Sequence, residues 1–209
     1  MNIILFGAPG SGKGTQAVEM CKKMSLRKIS LGDILRDEVK KQSTLGKEVE
    51  SYMKQGLLVP DEVVGKVIKE TITGNDFILD GYPRNDKQAQ VLDNILAEKG
   101  LKIDYFIYMA VSEDVIVDRL SKRRVCPNCG AGYHLENLKP AKDGICDECA
   151  TALIQRADDN PETIKQRWKV FSDSSKALLD YYRNNGNFIE VNANGNIDDV
   201  YNEVLQRIA

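Results

Sequence analysis

Apolar and polar residues alternate along this chain on two periods, and the changes of period mark its elements. Asn2 to Phe6 is a short, almost continuous apolar run that ends in a glycine-rich turn, the pattern of a strand buried on both faces of a parallel sheet. The runs Phe77 to Leu79, Tyr105 to Val111 and Asn187 to Val191 repeat it. Between them apolar positions recur at helical spacing, over Lys13 to Met24, Asp61 to Thr73, Lys87 to Glu98 and Glu113 to Arg124. Strands alternating with helices predict an α/β fold, a parallel sheet flanked by helices on both faces.

Two segments depart from that alternation. Residues 30–59 read as two helical pieces without a strand, closing at Gly56 before Pro60. Residues 122–159 carry cysteine pairs, glycines and prolines with little helical period. Both read as insertions on the sheet core, the usual place for function. After the second, Asn160-Pro161 predicts a helix start, with Asn as N-cap and Pro at the first helical position.

Composition narrows the function classes. The 209 residues are 42% hydrophobic and 29% charged, ordinary for a globular protein, with a net charge of -2 that offers no overall basic field for nucleic acid. No apolar run is long enough to span a membrane, and Met1 to Gly7 lacks a basic leader, so a cytoplasmic protein is expected. Nothing in the sequence calls for an obligate partner, and a monomer is expected.

Gly7-Ala8-Pro9-Gly10-Ser11-Gly12-Lys13-Gly14-Thr15 follows a strand and opens a helix. Glycines let the backbone curl so that successive N–H groups face an anion, and the helix N-terminus adds partial positive charge. Lys13 is spaced to reach the outer phosphates. Gly14 stands where the general phosphate-loop pattern has Ser or Thr, and Thr15 comes one place later. Asp80, at a strand end, is placed either to support Mg²⁺ through water or to make an Asx turn.

Cys126-Pro-Asn-Cys129 and Cys146-Asp-Glu-Cys149 are separated by sixteen residues, a spacing suited to a closed four-thiolate structural zinc site, with iron as the alternative metal. Cys21 stands alone in a helical pattern and reads as a small core hydrophobe. A nucleic-acid-binding zinc knuckle is disfavoured, because residues 122–159 hold six Lys/Arg against six Asp/Glu. Arg36, Arg84, Arg119, Arg123, Arg156 and Arg167 lie at strand ends or insertion boundaries, and Arg119 and Arg123 fall on one helical face. Guanidinium forks at such positions suit phosphoryl transfer, which needs cations around the moving group more than covalent help.

Gly7 to Thr15, Asp80 to Arg84 with Gln88, Asp118-Arg119 with Arg123, and Gln155 to Asp159 with Arg167 together resemble the adenylate kinase family over the full length of the chain. The cysteine-bearing insertion resembles the lid of its zinc-containing bacterial, long-lid form. The resemblance implies a P-loop nucleoside monophosphate kinase fold: a core of residues 1–29, 60–121 and 160–209, a helical AMP-binding insertion at 30–59 and a zinc-binding lid at 122–159. It implies Mg²⁺-dependent conversion of ATP and AMP to two ADP, with no nucleic acid or membrane partner.

By the same resemblance Gly10, Ser11, Gly12, Lys13, Gly14 and Thr15 cradle ATP, helped by Arg119, Arg123, Gly132, Tyr133 and Gly195. AMP falls to Leu31, Arg36, Leu57, Leu58, Val59, Gly81, Tyr82, Pro83, Arg84, Gln88, Arg156 and Arg167, with Gln88 at the adenine edge. The catalytic set is Lys13, Arg84, Arg119, Arg123, Arg156 and Arg167. Two departures stand out: Leu31 where the family has Thr, and Asn85 where Thr is common. A kinase for UMP or CMP is the nearest rival. A nucleotide-binding zinc regulator without turnover is the rival from another class.

Overall fold

Five parallel strands form the centre of the computed structural model, which describes residues 1–185 and 187–208. In chain order the first half runs β1 (Asn2–Phe6), α1 (Lys13–Met24), β2 (Arg27–Ser30), α2 (Leu31–Lys40), α3 (Thr44–Gln55), α4 (Asp61–Thr71), β3 (Phe77–Asp80) and α5 (Asp86–Glu98). The second half runs β4 (Tyr105–Ala110), α6 (Glu113–Lys122), β5 (Arg123–Val125), β6 (Gly132–His134), α7 (Pro161–Asn184), β7 (Phe188–Asn192) and α8 (Ile197–Ile208). The large sheet has the order β2-β3-β1-β4-β7, so β1 sits between parallel neighbours on both sides.

The apolar runs divide by the period of a strand. Ile4, Phe6, Phe77, Leu79 and Phe106 pack to one face against Ile68, Leu92 and Tyr182, and the Phe106 and Tyr182 rings stack with centroids 4.0 Å apart. Ile3, Leu5, Ile78, Ile107 and Val191 face the other side, against Met20 of α1 and Val200 and Val204 of α8. Burial on both faces is why these strands read as continuous apolar runs. Cys21 is only partly buried and packs at the margin of the second cluster.

Two expectations need correction. Arg27–Ser30 is a fifth strand of the sheet beyond the four apolar runs, paired to β3 from Arg27↔Phe77 to Ser30↔Asp80. It is an edge strand whose first two residues are polar and exposed or half-exposed, so no apolar run marks it. The helix predicted to reach Arg124 ends at Lys122: Arg123 is extended at φ -66°, ψ 140° and starts β5. Arg119 and Arg123 therefore do not share a helical face. The backbone leaves the helix because β5 pairs with β6, with Arg123 opposite His134, and the amide of Leu135 caps the carbonyl of Lys122.

The two unusual segments project from the sheet. Ser30 and Ser43 cap α2 and α3 through their side chains, and Gly46 lets the helices touch, since a Cβ there would meet the Glu38 carbonyl oxygen at 2.1 Å. Residues 123–154 form the β5–β6 hairpin with further bridges at Val125↔Ile154 and Ile145↔Ala152. Its core is small, made of Cys126, Tyr133 and Cys146 with Ala131, Cys149 and Leu153 around them. Asn160 caps α7 as the sequence predicts, accepting from the Thr163 amide at 2.9 Å, with Pro161 in the first turn. Lys40 at the end of α2 reaches the Pro127 carbonyl at 3.1 Å, so the two projections meet across the mouth of a cleft. No helix among the described residues is long and apolar enough to cross a membrane.

Candidate functional site

The loop after β1 opens at the carboxyl end of the sheet, where ligands bind in open α/β folds. Gly10 and Gly12 sit at φ 87° and 94°, in the left-handed region that glycine tolerates. Gly10 also lies against Leu120, which a Cβ would meet at 2.9 Å. α1 starts from Gly12 with no side-chain cap and no acidic residue in its first turn, so its leading N–H groups remain for an anion. Ser11 is buried, its amide bonded to the Ala8 carbonyl at 3.0 Å. A Cβ on Gly14 would stand 3.6 Å from Asp80 Oδ2, so the Asp80 carboxylate overlies the first turn of α1 beside Thr15.

Lys13 bends back over the loop. Its ammonium donates to the carbonyls of Gly7 at 2.7 Å and Ala8 at 2.8 Å and to Ser11 Oγ at 3.3 Å. Desolvation pulls its pKa down to about 8; Asp80 opposes that, and Arg84, Arg167 and Arg123 reinforce it. Cations from three separate segments thus act on one ammonium.

The arginines form two knots, each tied by acids. Asp33 pairs with Arg36 and, at 3.8 Å, with Arg156 from the C-terminal boundary of the second projection. Partial burial resists ionisation of Asp33, but Arg36 and Lys28 hold its carboxyl well below the usual carboxylate range. In the second knot Arg123 makes a fork with Asp159, Nε to Oδ2 at 2.8 Å and a terminal nitrogen to Oδ1 at 2.5 Å. Arg167 reaches Asp158 at 2.9 Å and Asp159 at 3.4 Å. Burial resists ionisation of Asp158 as well, yet Arg167 and Arg123 keep its pKa low.

Arg84 lies between the knots, its Nε donating to the Gly81 carbonyl at 2.9 Å. Its surface is open to the cleft, yet the surrounding protein desolvates the guanidinium and, with Arg167 and Arg36, brings its pKa to about 10. Burial, then Arg36 and Arg123, does the same to Arg156, also to about 10, and burial lowers Arg167. All stay charged at neutral pH, and their mutual repulsion makes the region a ready sink for polyanions.

Arg119 stands apart on α6. It donates to the carbonyls of Ala193 at 2.8 Å and Gly195 at 2.9 Å, bringing the loop after β7 beside the phosphate loop. Gly132 and Tyr133 lie in β6, and the Tyr133 side chain turns inward, its hydroxyl 3.4 Å from Cys146 Sγ. Tyr133 therefore offers a ligand its backbone rather than its phenol.

Leu31, the first residue of α2, is buried in the core with Ile29, Leu35, Val59 and Tyr82. Leu57 is exposed, Leu58 half-buried and Val59 buried, a strip along the cleft after α3. Gly81, Tyr82 and Pro83 follow β3, and Pro83 is joined by a cis peptide bond. Gln88 is 2% exposed on α5, with its amide engaged at both ends.

The four cysteines of the hairpin converge. Their sulfurs all lie within 4.8 Å of one another, with Cys126–Cys149 at 3.4 Å and Cys129–Cys146 at 3.5 Å. A tetrahedral site with metal–sulfur bonds of about 2.3 Å needs sulfurs about 3.8 Å apart, so this set fits a closed metal centre. Hydrogen bonding with Thr151 draws the Cys149 thiol down to about 5.

Sequence reading missed the acids. Asp33, Asp158 and Asp159 hold five of the arginine contacts above, yet only the Asp158-Asp159 doublet beside Arg156 offered a local signal.

A family model described as adenylate kinase matches residues 5–187 of the chain. Proteins named adenylate kinase align along its whole length: one from Caldicellulosiruptor bescii is 44% identical, covering 100% of this chain and 99% of the relative. One from a Thermoanaerobacter species is 41% identical, covering 100% and 98%, and one from Oceanobacillus iheyensis is 43% identical, covering 98% and 97%.

Proposed function

The chain belongs to the adenylate kinase family and is a nucleoside monophosphate kinase, and from that premise we propose that it transfers the terminal phosphoryl group of MgATP to AMP, reversibly, giving two ADP. The observation that carries this reading is the convergence on Lys13 of charge from Arg84, Arg123 and Arg167, with Arg36 and Arg156 one ion pair further out. A single nucleotide needs fewer cations than this. Two phosphate chains meeting end to end need about as many.

In this reading the uncapped start of α1 and Lys13 hold the β- and γ-phosphates of the donor. Arg119 packs against its base beside Gly195, and Arg36 and Arg84 grip the acceptor phosphate. Arg123, Arg156 and Arg167 surround the group in flight, where removal of one such donor typically costs about 10²–10³ in rate. Residues 30–59 act as the AMP-binding part and residues 122–159 as a lid on the core formed by the remainder. The Lys40–Pro127 and Asp33–Arg156 contacts support a closure that keeps water from the phosphoryl group. Asp80 is placed to hold Mg²⁺ through water, and the bound ion would neutralise charge developing between the phosphates. Zinc on the four cysteines, with no open position, would be structural. The enzyme is read as a cytoplasmic monomer.

A coupled assay with ATP and each of AMP, UMP and CMP tests the proposal. Turnover with AMP far above the other two is the expected result. Preference for UMP or CMP would replace it with the pyrimidine reading, and no turnover with any would leave a nucleotide-binding regulator.

A further inference from the structure

Asp61, the first residue of α4, belongs to no phosphate knot and takes amides rather than cations as partners. Its carboxylate accepts from Gln88 Nε2 at 2.7 Å and from Asn85 Nδ2 at 3.1 and 3.4 Å. Gln88 is fixed at its other end too, because its Oε1 accepts from the Arg84 amide at 2.8 Å. Its backbone is held as well: its N–H donates to Asn85 Oδ1 at 2.8 Å, and its carbonyl accepts from the buried Tyr82 hydroxyl at 3.1 Å.

A side-chain amide has two N–H donors and two carbonyl lone pairs. Asp61 takes one donor and the Arg84 amide fills one lone pair, so one of each is left to present along a single edge. The orientation of that edge is not free. A carboxylate accepts only, so it must face the NH₂ end. A backbone N–H donates only, so it must face the oxygen. Turning the amide over would set oxygen against carboxylate and donor against donor, two buried mismatches at once.

We infer that Asp61 is a specificity-determining positioning residue: it locks the Gln88 amide in the orientation that matches a 6-aminopurine and rejects a 6-oxopurine. Adenine shows an acceptor at N1 beside a donor at the 6-amino group, which complements one free donor beside one free lone pair. A 6-oxopurine shows a donor at N1 beside an acceptor at O6 and needs the amide reversed. The inference rests on the reading that Gln88 meets the acceptor base. It adds that discrimination resides in the pair Asp61–Gln88 and not in Gln88 alone. Asn85 serves the same end, since its one side chain both caps α5 at Gln88 and shares the Asp61 carboxylate.

The test is steady-state kinetics with AMP and with IMP at fixed MgATP, for the parent, Asp61→Asn and Gln88→Leu. Asparagine keeps the shape but can turn its own NH₂ toward Gln88 Oε1, which removes one of the two mismatches that hold the amide against reversal and leaves only the Arg84 N–H to oppose it. The expected result for Asp61→Asn is a fall of about tenfold or more in the AMP:IMP ratio of kcat/KM. KM for AMP should rise more than kcat falls, with KM for ATP within about twofold of the parent. A purely structural role at the start of α4 would lower Tm and leave that ratio alone. An unchanged ratio in Asp61→Asn, with a collapsed ratio in Gln88→Leu, overturns the inference and leaves the base reading standing. An unchanged ratio in both overturns both. If Asp61→Asn does not fold, NMR of the unmutated chain decides: the Gln88 side-chain NH₂ protons should exchange slowly with solvent, and rapid exchange refutes the lock.

Discussion

Replacing Asp159 by Asn should destabilise the chain and make its stability depend on bound phosphate. The Asp159 side chain is fully buried and forks with Arg123 while touching Arg167 at 3.4 Å. Asparagine keeps the volume but turns one oxygen into a donor aimed at a guanidinium, and it removes the negative charge. Deleting one member of a buried ion pair costs about 3–5 kcal/mol. The low end applies here, because the Arg123 side chain keeps 22% exposure and Arg167 still has Asp158 at 2.9 Å. For a domain of this length about 3 kcal/mol corresponds to a fall in Tm of roughly 6–12 °C. Scanning calorimetry with and without saturating ATP and AMP is the assay. Phosphates bring the charge that Asp159 supplied, so the nucleotides should raise the Tm of Asp159→Asn by more than they raise that of the parent. A Tm within about 1 °C of the parent, or an equal nucleotide shift in both proteins, would refute the reasoning.

Other perturbations separate chemistry from fold. Lys13→Met should lower kcat/KM by about 10³ or more while leaving Tm unchanged or slightly raised, because the charged ammonium is already desolvated in the folded chain; calorimetry beside the coupled assay checks both halves. The pH dependence of nucleotide binding follows from the same residue. Lys13 has a pKa of about 8 in the folded chain, and donor phosphates raise it, so above that pH binding takes up close to one proton and affinity falls by up to about tenfold per pH unit. Titration calorimetry near pH 9 in two buffers of different ionisation enthalpy measures the uptake; none would contradict this placement of Lys13. Stripping metal from the four cysteines with a strong chelator should lower Tm, since the hairpin's own apolar core is small. An unchanged melt, with no metal found by elemental analysis, would remove the structural role.

The elements that were legible in sequence are those whose cause is local. β1 and its glycine loop are read from consecutive residues, the Asn160-Pro161 helix start from two, and the cysteine tetrad from two spacings. β2 was missed because an edge strand beginning with Arg27 and Lys28 buries too little to show a period. Arg123 was misread for a related reason. Its helical spacing from Arg119 was plausible, but hairpin pairing and Asp159, both remote in sequence, decide its conformation. Asp33 and Asp61 escaped as partners, because Asp33 meets Arg156 across the cleft and Asp61 meets Gln88 between two helices, and no spacing rule links such pairs.

Those acids also explain how a chain of net charge -2 keeps this many guanidiniums in one cleft. Each carboxylate is shared: Asp33 lies between Arg36 and Arg156, and Asp159 between Arg123 and Arg167. A shared acid offsets the repulsion of two cations while leaving each guanidinium with donors to spare, so an arriving phosphate completes the coordination rather than displacing it. The two knots should nevertheless differ in strength. The Asp33 side chain is 40% exposed, so water and salt screen its pairs, and its loss should be felt mainly in the approach of the two projections. The Asp159 side chain is shut away from water and holds Arg123 where the hairpin leaves the core. Added salt should therefore weaken the Asp33 knot and spare the other, which makes the Arg123–Asp159 anchor the rigid contact and the Asp33–Arg156 bridge between the two projections the one that opens.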